Sequence, residues 1–356
     1  MTKRLFVKGN EAVAMGALEA GCRYYFGYPI TPQSDIPEYI AREMPALGGE
    51  FIQAESEIAS INMLLGASAC GARAMTSSSS PGISLKQEGI SYMAGSECPG
   101  LIVNISRSGP GLGGIDASQA DYFQATKGGG HGGYHLIVLA PASVQEMYDL
   151  TMLAFDLSDR YRVPAMILAD AVIGQMKEAL EPHPYTAPAD LPPKEWALIG
   201  PGERGVNKVV KSLYLGDGEL EQHNLKLHRK YAEMQEKEVR YAGYELDDAE
   251  LVVTAYGSTA RIAHTAVRLA RQQGYKVGLL RPITLFPFPK MAYKRHTAAG
   301  QKVLCVELNT GQMVDDVRLA VPGVEVEFYG RAPGAGSLPT PEEIFAQIRL
   351  HCEVRS

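Results

Sequence analysis

The chain has 356 residues, of which 46% are apolar and 21% are charged, and its formal net charge is -6. This composition is typical of a folded protein with two or three domains, and the negative charge argues against nucleic acid or an anionic membrane as partner. No apolar run approaches the ~18 residues that span a bilayer, and the first residues lack an apolar leader, so we expect a cytoplasmic protein.

The five cysteines are scattered and form no Cys-x-x-Cys pair; they are Cys22, Cys70, Cys98, Cys305 and Cys352. This pattern excludes the usual spacing of a zinc or iron–sulfur site built within one chain, so we predict no metal site here. We expect each cysteine to act as a small buried hydrophobic residue in a reducing compartment.

The first half of the chain alternates helices and strands. Strands are predicted at residues 24–26, 50–53, 72–76, 101–105, 136–139 and 163–169. Helices are predicted at 10–20 with Asn10 as cap, 33–44, 55–69, after Gly82 to about 95, and 144–157. Because the strands are almost continuously apolar, we expect an α/β fold with a mostly parallel sheet covered on both faces.

The rest of the chain divides into a linker and a second α/β unit. Residues 182–248 begin with several prolines and end in a charged stretch that predicts an amphipathic helix, either a solvated spacer or a surface lying over a partner chain. Strands predicted at 251–256, 277–281, 302–307 and 324–328 form a compact C-terminal unit. We therefore predict domains at 1–181 and 249–356, joined by a linker at 182–248.

The segment Gly27-Tyr28-Pro29-Ile30-Thr31-Pro32 ends the first predicted strand of the sheet. Its two prolines fix φ and lack backbone donors, which makes a rigid turn that carries the Thr31 hydroxyl. In open α/β sheets ligands bind at the carboxyl ends of strands. The simpler alternative is that Thr31 only caps the next helix.

Other polar residues follow neighbouring strands: Glu55, Glu57, the Ser77–Ser80 run, Arg107 and the loop with His131. Taken singly, each has an ordinary explanation, such as a helix N-terminal charge, a flexible turn or a surface ion pair. Taken together, they predict a site for a small carboxylate, because arginine pairs bidentately with a carboxylate and a buried glutamate can exchange a proton with a heterocycle.

Several common sites are absent from the sequence. The glycine-rich stretch Gly109–Gly114 is not followed by the Gly-Lys-Ser/Thr of a phosphate-binding loop and does not open a helix. There is no Gly-x-Ser-x-Gly motif, and Gly216-Asp217-Gly218 lacks the Asn pair expected of a thiamine diphosphate metal motif, so we interpret it as a turn.

Four segments resemble the α subunit of the 2-oxoacid:ferredoxin oxidoreductases, with the branched-chain (2-oxoisovalerate) type as the nearest subtype. They are GYPITP, QAESEIASINM, TSSSSPGISL and IVNISRSGP, and the later YGSTAR and LLRPITLFPFP segments resemble the same family's C-terminal domain. The resemblance implies a pyrimidine-type thiamine-diphosphate-binding fold followed by a transketolase C-terminal-like domain.

The resemblance also implies a reaction and its partners. Such enzymes decarboxylate a 2-oxoacid on thiamine diphosphate, transfer the acyl group to coenzyme A and pass electrons through [4Fe-4S] clusters to ferredoxin. A β subunit supplies the diphosphate- and Mg²⁺-binding half of the site, and the γ and ferredoxin-like δ subunits supply the remaining functions. As the net charge of -6 already indicates, we expect no nucleic-acid or membrane partner.

The resemblance also implies roles for individual residues. Glu57 matches the glutamate that protonates the pyrimidine ring, and Glu55 is its alternative because the ESE run allows a shift. Thr31, Arg107 and Ile30 match substrate-binding positions. Cofactor contacts are also implied at four further residues, Tyr28, Pro29, Ser79 and Ser80. His131 is a weaker candidate, near the site or a subunit interface.

Three alternatives stay open at this stage. The substrate is either a branched-chain acid or 2-oxoglutarate, for which a second basic residue would be expected. Two other interpretations concern the function itself. The chain is either half of a thiamine enzyme without iron–sulfur partners or a non-catalytic subunit.

Overall fold

The computed structural model describes residues 4–202, 205–297, 301–336 and 338–353. Residues 1–3 of the first predicted domain and 354–356 of the last therefore lie outside the described residues. Its strands are β1 (Leu5–Lys8), β2 (Tyr24–Gly27), β3 (Glu50–Gln53), β4 (Ala74–Ser78), β5 (Gly100–Ser106), β6 (Ile137–Leu139), β7 (Pro164–Asp170), β8 (Lys177–Leu180), β9 (Tyr241–Tyr244), β10 (Leu251–Thr254), β11 (Val277–Pro282), β12 (Thr284–Phe286), β13 (Lys302–Glu307) and β14 (Glu325–Gly330).

The helices begin and end close to the predicted positions in most cases. They are α1 (Gly9–Glu19), α2 (Asp35–Glu43), α3 (Glu57–Ala69), α4 (Ser80–Gly95), α5 (Tyr122–Thr126), α6 (Val144–Tyr161), α7 (Ala171–Gln175), α8 (Glu219–Lys237), α9 (Gly257–Gln272), α10 (Lys290–His296), α11 (Met313–Ala320) and α12 (Pro341–Glu353).

The larger sheet has seven strands in the order β12-β6-β7-β5-β4-β2-β3. All neighbours pair in parallel except β12, which is antiparallel to β6. Every residue of β5 and β7 is buried, which requires that helices cover both faces of the sheet. This confirms the predicted α/β fold class and places the carboxyl ends of β2, β4 and β5 side by side.

Helices α2 and α4 begin at Asp35 and Ser80 rather than at residue 33 and after Gly82, and two further helix starts differ from the sequence prediction. Asn10 does not cap α1 but lies buried within it, where its side-chain amide donates to the Pro32 carbonyl at 2.8 Å. Helix α3 begins at Glu57 rather than Glu55, because the Ser56 hydroxyl caps it by accepting from the Ala59 amide. The second shift decides which of the two glutamates sits on the helix.

Helices α3 and α4 pack closely on one another beside β4. A Cβ at Gly89 of α4 would lie 2.5 Å from a side-chain carbon of Ile61 on α3. Only glycine permits this approach, and the small residues of both helices keep their backbones near each other. The N-terminal ends of the two helices therefore meet next to the strand ends.

The smaller sheet has five strands in the order β14-β13-β10-β11-β9. Strand β9 comes from the predicted linker and joins this sheet as its antiparallel edge. Strand β12, from the predicted C-terminal domain, instead joins the larger sheet. Each of these two strands thus joins the sheet on the other side of a predicted domain boundary. The predicted domains do not match the two sheets at β9 and β12.

Helix α8 is docked on the N-terminal part of the chain. Its Leu227, Tyr231 and Met234 are buried in the main hydrophobic core, and its Lys230 forms an ion pair of 2.7 Å with buried Glu97. The expectation of a solvated spacer helix is therefore wrong, because one apolar stripe of the helix is covered by its own chain.

A polar network, here called the junction cluster, joins the two sheets; it comprises Gln119, Asp170, Ser258, Thr259, Glu307 and Asn309. The Gln119 side chain donates to the Tyr256 carbonyl and accepts from the Thr259 hydroxyl. Glu307 accepts backbone N–H donors from the start of α11. These buried groups are paired, so the two α/β units are held in one fixed arrangement.

Candidate functional site

The carboxyl ends of β2, β4 and β5 and the start of α3 meet in one corner of the larger sheet. We call the polar residues that line it the corner cluster: Glu57, Ser78, Ser79 and Arg107. The turn of residues 27–32, which follows β2, forms its outer edge. Parallel pairing of the three strands brings these residues together across about 80 residues of sequence.

The turn after β2 is held by side chains from elsewhere in the domain. The Pro32 carbonyl accepts from the Asn10 amide at 2.8 Å and from the Gln175 amide at 2.7 Å. The Thr31 carbonyl accepts from Arg107 at 2.9 Å. Thr31 does not cap α2, which follows Ser34 instead, and it is exposed to solvent. Its hydroxyl is thus available to a ligand.

Arg107 follows β5 and is only 7% exposed. Its two Nη atoms donate to the carbonyls of Thr31 and Leu112, at 2.9 and 3.1 Å, while its Nε has no partner. No carboxylate of the described chain pairs with it, so a surface ion pair does not explain its position. A buried cation held by neutral carbonyls and lacking a counter-ion is suited to bind a substrate carboxylate.

The structure separates the two glutamates of the ESE run. Glu55 precedes α3 and is exposed, whereas Glu57 is the first residue of α3 and is only 7% exposed. Within the described residues the carboxylate oxygens of Glu57 accept no hydrogen bond. A carboxylate placed near the helix N-terminus, largely shielded from water and without a donor, is expected to interact with a group that the chain itself does not supply.

Gly82 forms the wall beside Glu57. A Cβ at this position would lie 2.7 Å from Glu57 Oε1 and 2.1 Å from Ser78 Oγ. Any larger residue would displace both side chains, so glycine is required for the carboxylate to occupy this place.

The serine run contributes two kinds of hydroxyl. Ser80 is part of the framework: its Oγ donates to Asp121 at 2.6 Å and accepts from the backbone N–H of Arg107 at 3.0 Å. The hydroxyls of Ser78 and Ser79 are buried and without a partner. Buried hydroxyls without partners are uncommon in folded proteins, and they mark this corner as incomplete.

The remaining predicted site residues differ in position. Tyr28 and Pro29 are exposed on the turn, and Ile30 is partly buried between them and Thr31. His131 is not brought to the corner: its carbonyl accepts from Ser91, which lies about 13 Å along α4 from Gly82. His131 instead lies edge-on to the exposed Tyr92 ring.

Sequence reasoning missed two residues that the structure places behind the corner. Asp121 accepts from Ser80 and from Asn104, and so fixes the backbone from which Arg107 extends. Lys86 is fully buried and donates to the Glu57 carbonyl at 3.3 Å. Lys86 could have been noticed because it stands four residues after Gly82, on the same helical face, among Ile83 and Ile90.

The outer edge of the corner is exposed to solvent at Tyr28, Pro29 and Thr31. A cavity of about 600 Å³ lies away from the corner, between α8 and residues 132–135. Among the described residues no cluster of three or more His, Cys, Asp or Glu side chains could hold a metal ion. In the same part of the chain no helix has the length and apolar character needed to cross a bilayer.

Two family models match the chain. The first, described as "Pyruvate flavodoxin/ferredoxin oxidoreductase, thiamine diP-bdg", matches residues 15–241. The second, described as "Pyruvate:ferredoxin oxidoreductase core domain II", matches residues 249–344. The corner cluster lies within the first match.

Similar curated proteins cover nearly the whole chain. The ketoisovalerate oxidoreductase subunit VorB of Methanothermobacter thermautotrophicus is 51% identical, with 96% of each chain covered. The 2-oxoglutarate synthase subunit KorA of Methanocaldococcus jannaschii is 39% identical, with 95% of this chain and 97% of the relative covered.

Two solved structures share the fold. The 2-oxoglutarate:ferredoxin oxidoreductase from Magnetococcus marinus, with 2-oxoglutarate, coenzyme A and succinyl-CoA bound, superposes with a TM-score of 0.88 at 27% identity. It covers 98% of this chain, which spans 65% of that longer chain. A split-gene transketolase has a TM-score of 0.62 at 12% identity, a likeness of fold alone.

Proposed function

This chain belongs to the 2-oxoacid:ferredoxin oxidoreductase family, as its sequence motifs predicted, and we propose that it forms half of a shared active site that decarboxylates a branched-chain 2-oxoacid. The observation that carries the proposal is the corner cluster. It combines a buried carboxylate without a donor and a buried guanidinium without a counter-ion at adjacent strand ends.

The residues of the corner fit the aminopyrimidine ring of thiamine diphosphate. The Glu57 carboxylate lacks a donor, and the buried Ser78 and Ser79 hydroxyls lack partners, so a polar heterocycle would satisfy groups that are now unsatisfied. When bound, this cofactor supplies the carbon nucleophile that attacks a 2-oxoacid and accepts the electron pair left by CO2. Glu57 would hold a proton at a ring nitrogen, while the exposed Glu55 would not reach it.

Arg107 and the turn after β2 would hold the substrate. The Arg107 guanidinium donates to two carbonyls, and its remaining N–H groups would donate to a carboxylate of the bound 2-oxoacid. The Thr31 hydroxyl would donate to the same carboxylate or to the adjacent keto oxygen. Ile30, Tyr28 and Pro29 would shield this contact from water. These groups keep the substrate oriented until its carboxylate leaves as CO2.

The other wall of the site would come from a second chain. Apolar side chains close in sequence to the corner residues are exposed: Tyr28, Ile52, Ile58, Leu112 and Ile115. Such a group of exposed apolar residues is typical of a protein interface. We assign it to the β subunit, which would bind the diphosphate and Mg²⁺. Subunits with [4Fe-4S] clusters (γ and δ) and ferredoxin would receive the electrons, and coenzyme A would receive the acyl group.

The substrate assignment depends on two observations. The 51% identity to a ketoisovalerate oxidoreductase subunit exceeds the 39% identity to a 2-oxoglutarate synthase subunit. In the described part of the corner, Arg107 is the cation that is open to a ligand, since Lys86 is fully buried behind Glu57. Among the described residues of the corner a second substrate carboxylate would find no further cation, which favours an apolar side chain such as that of 2-oxoisovalerate.

The test is viologen or ferredoxin reduction by the complex that co-purifies with this chain. Coenzyme A and thiamine diphosphate would be supplied, and 2-oxoisovalerate, pyruvate and 2-oxoglutarate compared at equal concentration. We expect the highest kcat/KM with 2-oxoisovalerate and no reduction without thiamine diphosphate. A preference for 2-oxoglutarate would overturn the substrate assignment and keep the reaction, whereas no reduction with any oxoacid, from a complex with intact clusters, would overturn both.

A further inference from the structure

Lys86 lies directly behind the corner cluster and is fully buried. Its amine donates to the backbone carbonyl of Glu57 at 3.3 Å and to the hydroxyl of Ser60. The Ser60 hydroxyl donates to that same Glu57 carbonyl at 2.8 Å. Both hydrogen-bond partners of this lysine thus belong to the first turn of α3, the turn that begins with Glu57.

Two residues of helix α4, one turn apart on the same face, lie against Glu57. Gly82 provides the space in which the carboxylate lies, and Lys86, one turn later, holds the main chain of the same residue. A methionine would fill the volume of a lysine stem in an otherwise apolar helix face. The amine instead places a titratable group where the charge of the Glu57 carboxylate acts on it.

The electrostatic surroundings of the amine are simple. Burial lowers the pKa of Lys86 to about 7, and the negative charge of Glu57 acts in the opposite direction. Among the described residues Glu57 is the charged group that acts on this amine, and the amine's side-chain hydrogen-bond partner is the neutral Ser60 hydroxyl. The charge that acts on the amine thus belongs to the residue whose main chain the amine contacts.

We propose that Lys86 is a positioning residue that sets the proton affinity of Glu57, through the main-chain contact and through its own charge. This inference rests on the proposed function of Glu57 as the proton partner of the cofactor ring. With the amine protonated, the carboxylate is stabilised in its ionised form. With the amine neutral, that stabilisation is absent.

The first test measures stability without any catalysis. An amine with a folded-state pKa of about 7 and the ordinary unfolded value of 10.5 binds its proton more weakly when folded. The free energy of unfolding should therefore rise as the pH increases from about 7 to about 10.5, with the full penalty present below pH 7. Thermal unfolding of the purified complex across this range should lose that rise in Lys86→Met, while Lys177→Met, at an exposed lysine of β8, should keep it.

The second test measures the pH profile of kcat/KM. Lys86→Met removes the positive charge, so the midpoint of the acid limb should move up by roughly one pH unit. Lys86→Arg keeps a permanent charge and should leave that midpoint unchanged or move it down. The pH dependence of thiamine diphosphate binding, followed by protein fluorescence, should shift in the same directions. Lys177→Met should match the wild type in both.

The outcomes separate this inference from the proposed function. If Lys86→Met left the pH dependence of the free energy of unfolding unchanged, the lowered pKa of Lys86 would be contradicted and the proposal with it. A lower kcat/KM at every pH, with unmoved midpoints in both Lys86 variants, would show a structural role only and overturn the proposal. Failure of the proposed function would appear independently, as wild-type activity that does not require thiamine diphosphate.

Discussion

The corner cluster and the junction cluster are both buried and polar, but they differ in how completely their groups are paired. At the junction, Gln119 and Glu307 use their side-chain oxygens in hydrogen bonds to neighbouring groups. At the corner, two serine hydroxyls and the Arg107 Nε have no partner. A buried polar group lowers the free energy of unfolding unless it is paired. The junction cluster therefore stabilises the fold, whereas the corner cluster has unpaired groups that can bind a ligand.

This difference shows how a functional site can be recognised without a ligand. Burial alone does not distinguish the clusters, since Glu307 is more deeply buried than Glu57. The distinction lies in whether the chain supplies the partners. Substitutions at the junction should therefore reduce stability, and substitutions at the corner should reduce activity and leave stability nearly unchanged.

The largest effect is expected for Glu57→Gln. The amide cannot accept and return a proton as the carboxylate does, so turnover should fall by about 10²- to 10⁴-fold. Viologen reduction by the assembled complex measures this loss, and size-exclusion chromatography checks assembly. Glu55→Gln, two residues earlier and exposed, is the matched control and should retain wild-type turnover. Near-normal turnover in Glu57→Gln would contradict the assignment.

The next effect concerns the junction. Gln119→Leu removes the partners of the Tyr256 carbonyl, the Thr259 hydroxyl and the Leu308 N–H, all of which are buried. Leaving such groups unpaired should lower the free energy of unfolding by roughly 3 kcal/mol or more. Denaturant unfolding of the complex measures the loss. If Gln119→Leu instead reduced kcat at unchanged stability, the contrast between the two clusters would fail.

A smaller effect is expected for Arg107→Lys. The lysine keeps the charge but cannot hold two carbonyls and a carboxylate at once, so the KM for the 2-oxoacid should rise by about 10- to 100-fold. The expected fall in kcat is smaller, because Glu57 is untouched. Steady-state kinetics with a saturating electron acceptor separates the two constants. An unchanged KM would show that this guanidinium does not contact the substrate.

The smallest effect is expected for Ser79→Ala. This substitution removes a buried hydroxyl that has no partner, so the free energy of unfolding should change by less than about 1 kcal/mol. Affinity for thiamine diphosphate should fall several-fold. Ser258→Ala is the counterpart at the junction, where the hydroxyl donates to Asp170 at 2.5 Å. It should cost more stability and leave cofactor affinity unchanged; the reverse pattern would contradict the comparison.

Much of the corner could be predicted from the sequence, because parallel strands deliver their carboxyl-terminal residues to one edge. Thr31, Glu57 and Arg107 each follow a strand or open a helix, and their convergence needed only the correct strand order. The choice between Glu55 and Glu57 needed the position of the α3 cap at Ser56. The sequence alone does not reveal that cap, because the ESE run places an equally plausible carboxylate on either side of Ser56.

Other features could not be read from local patterns. Lys86 acquires its partners only through the close packing of α3 on α4. Strands β9 and β12 are short, and the sheet that each joins is decided by tertiary contacts rather than by propensity. The pairing state of a buried hydroxyl depends likewise on neighbours that are distant in sequence. For these features the sequence supplies candidates and the fold selects among them.

The placement of β12 has a consequence for how the chain folds during synthesis. Its Thr284 pairs with Leu139 of β6, so the edge of the larger sheet is completed only by residues made about 145 positions later. A nascent chain that has already formed the thiamine-type domain would present β6 as an open edge until β12 arrives. Unpaired edges of this kind promote association with other chains. Ribosome-bound intermediates ending before residue 284 are therefore expected to depend on chaperones, and a separately expressed N-terminal half is expected to aggregate.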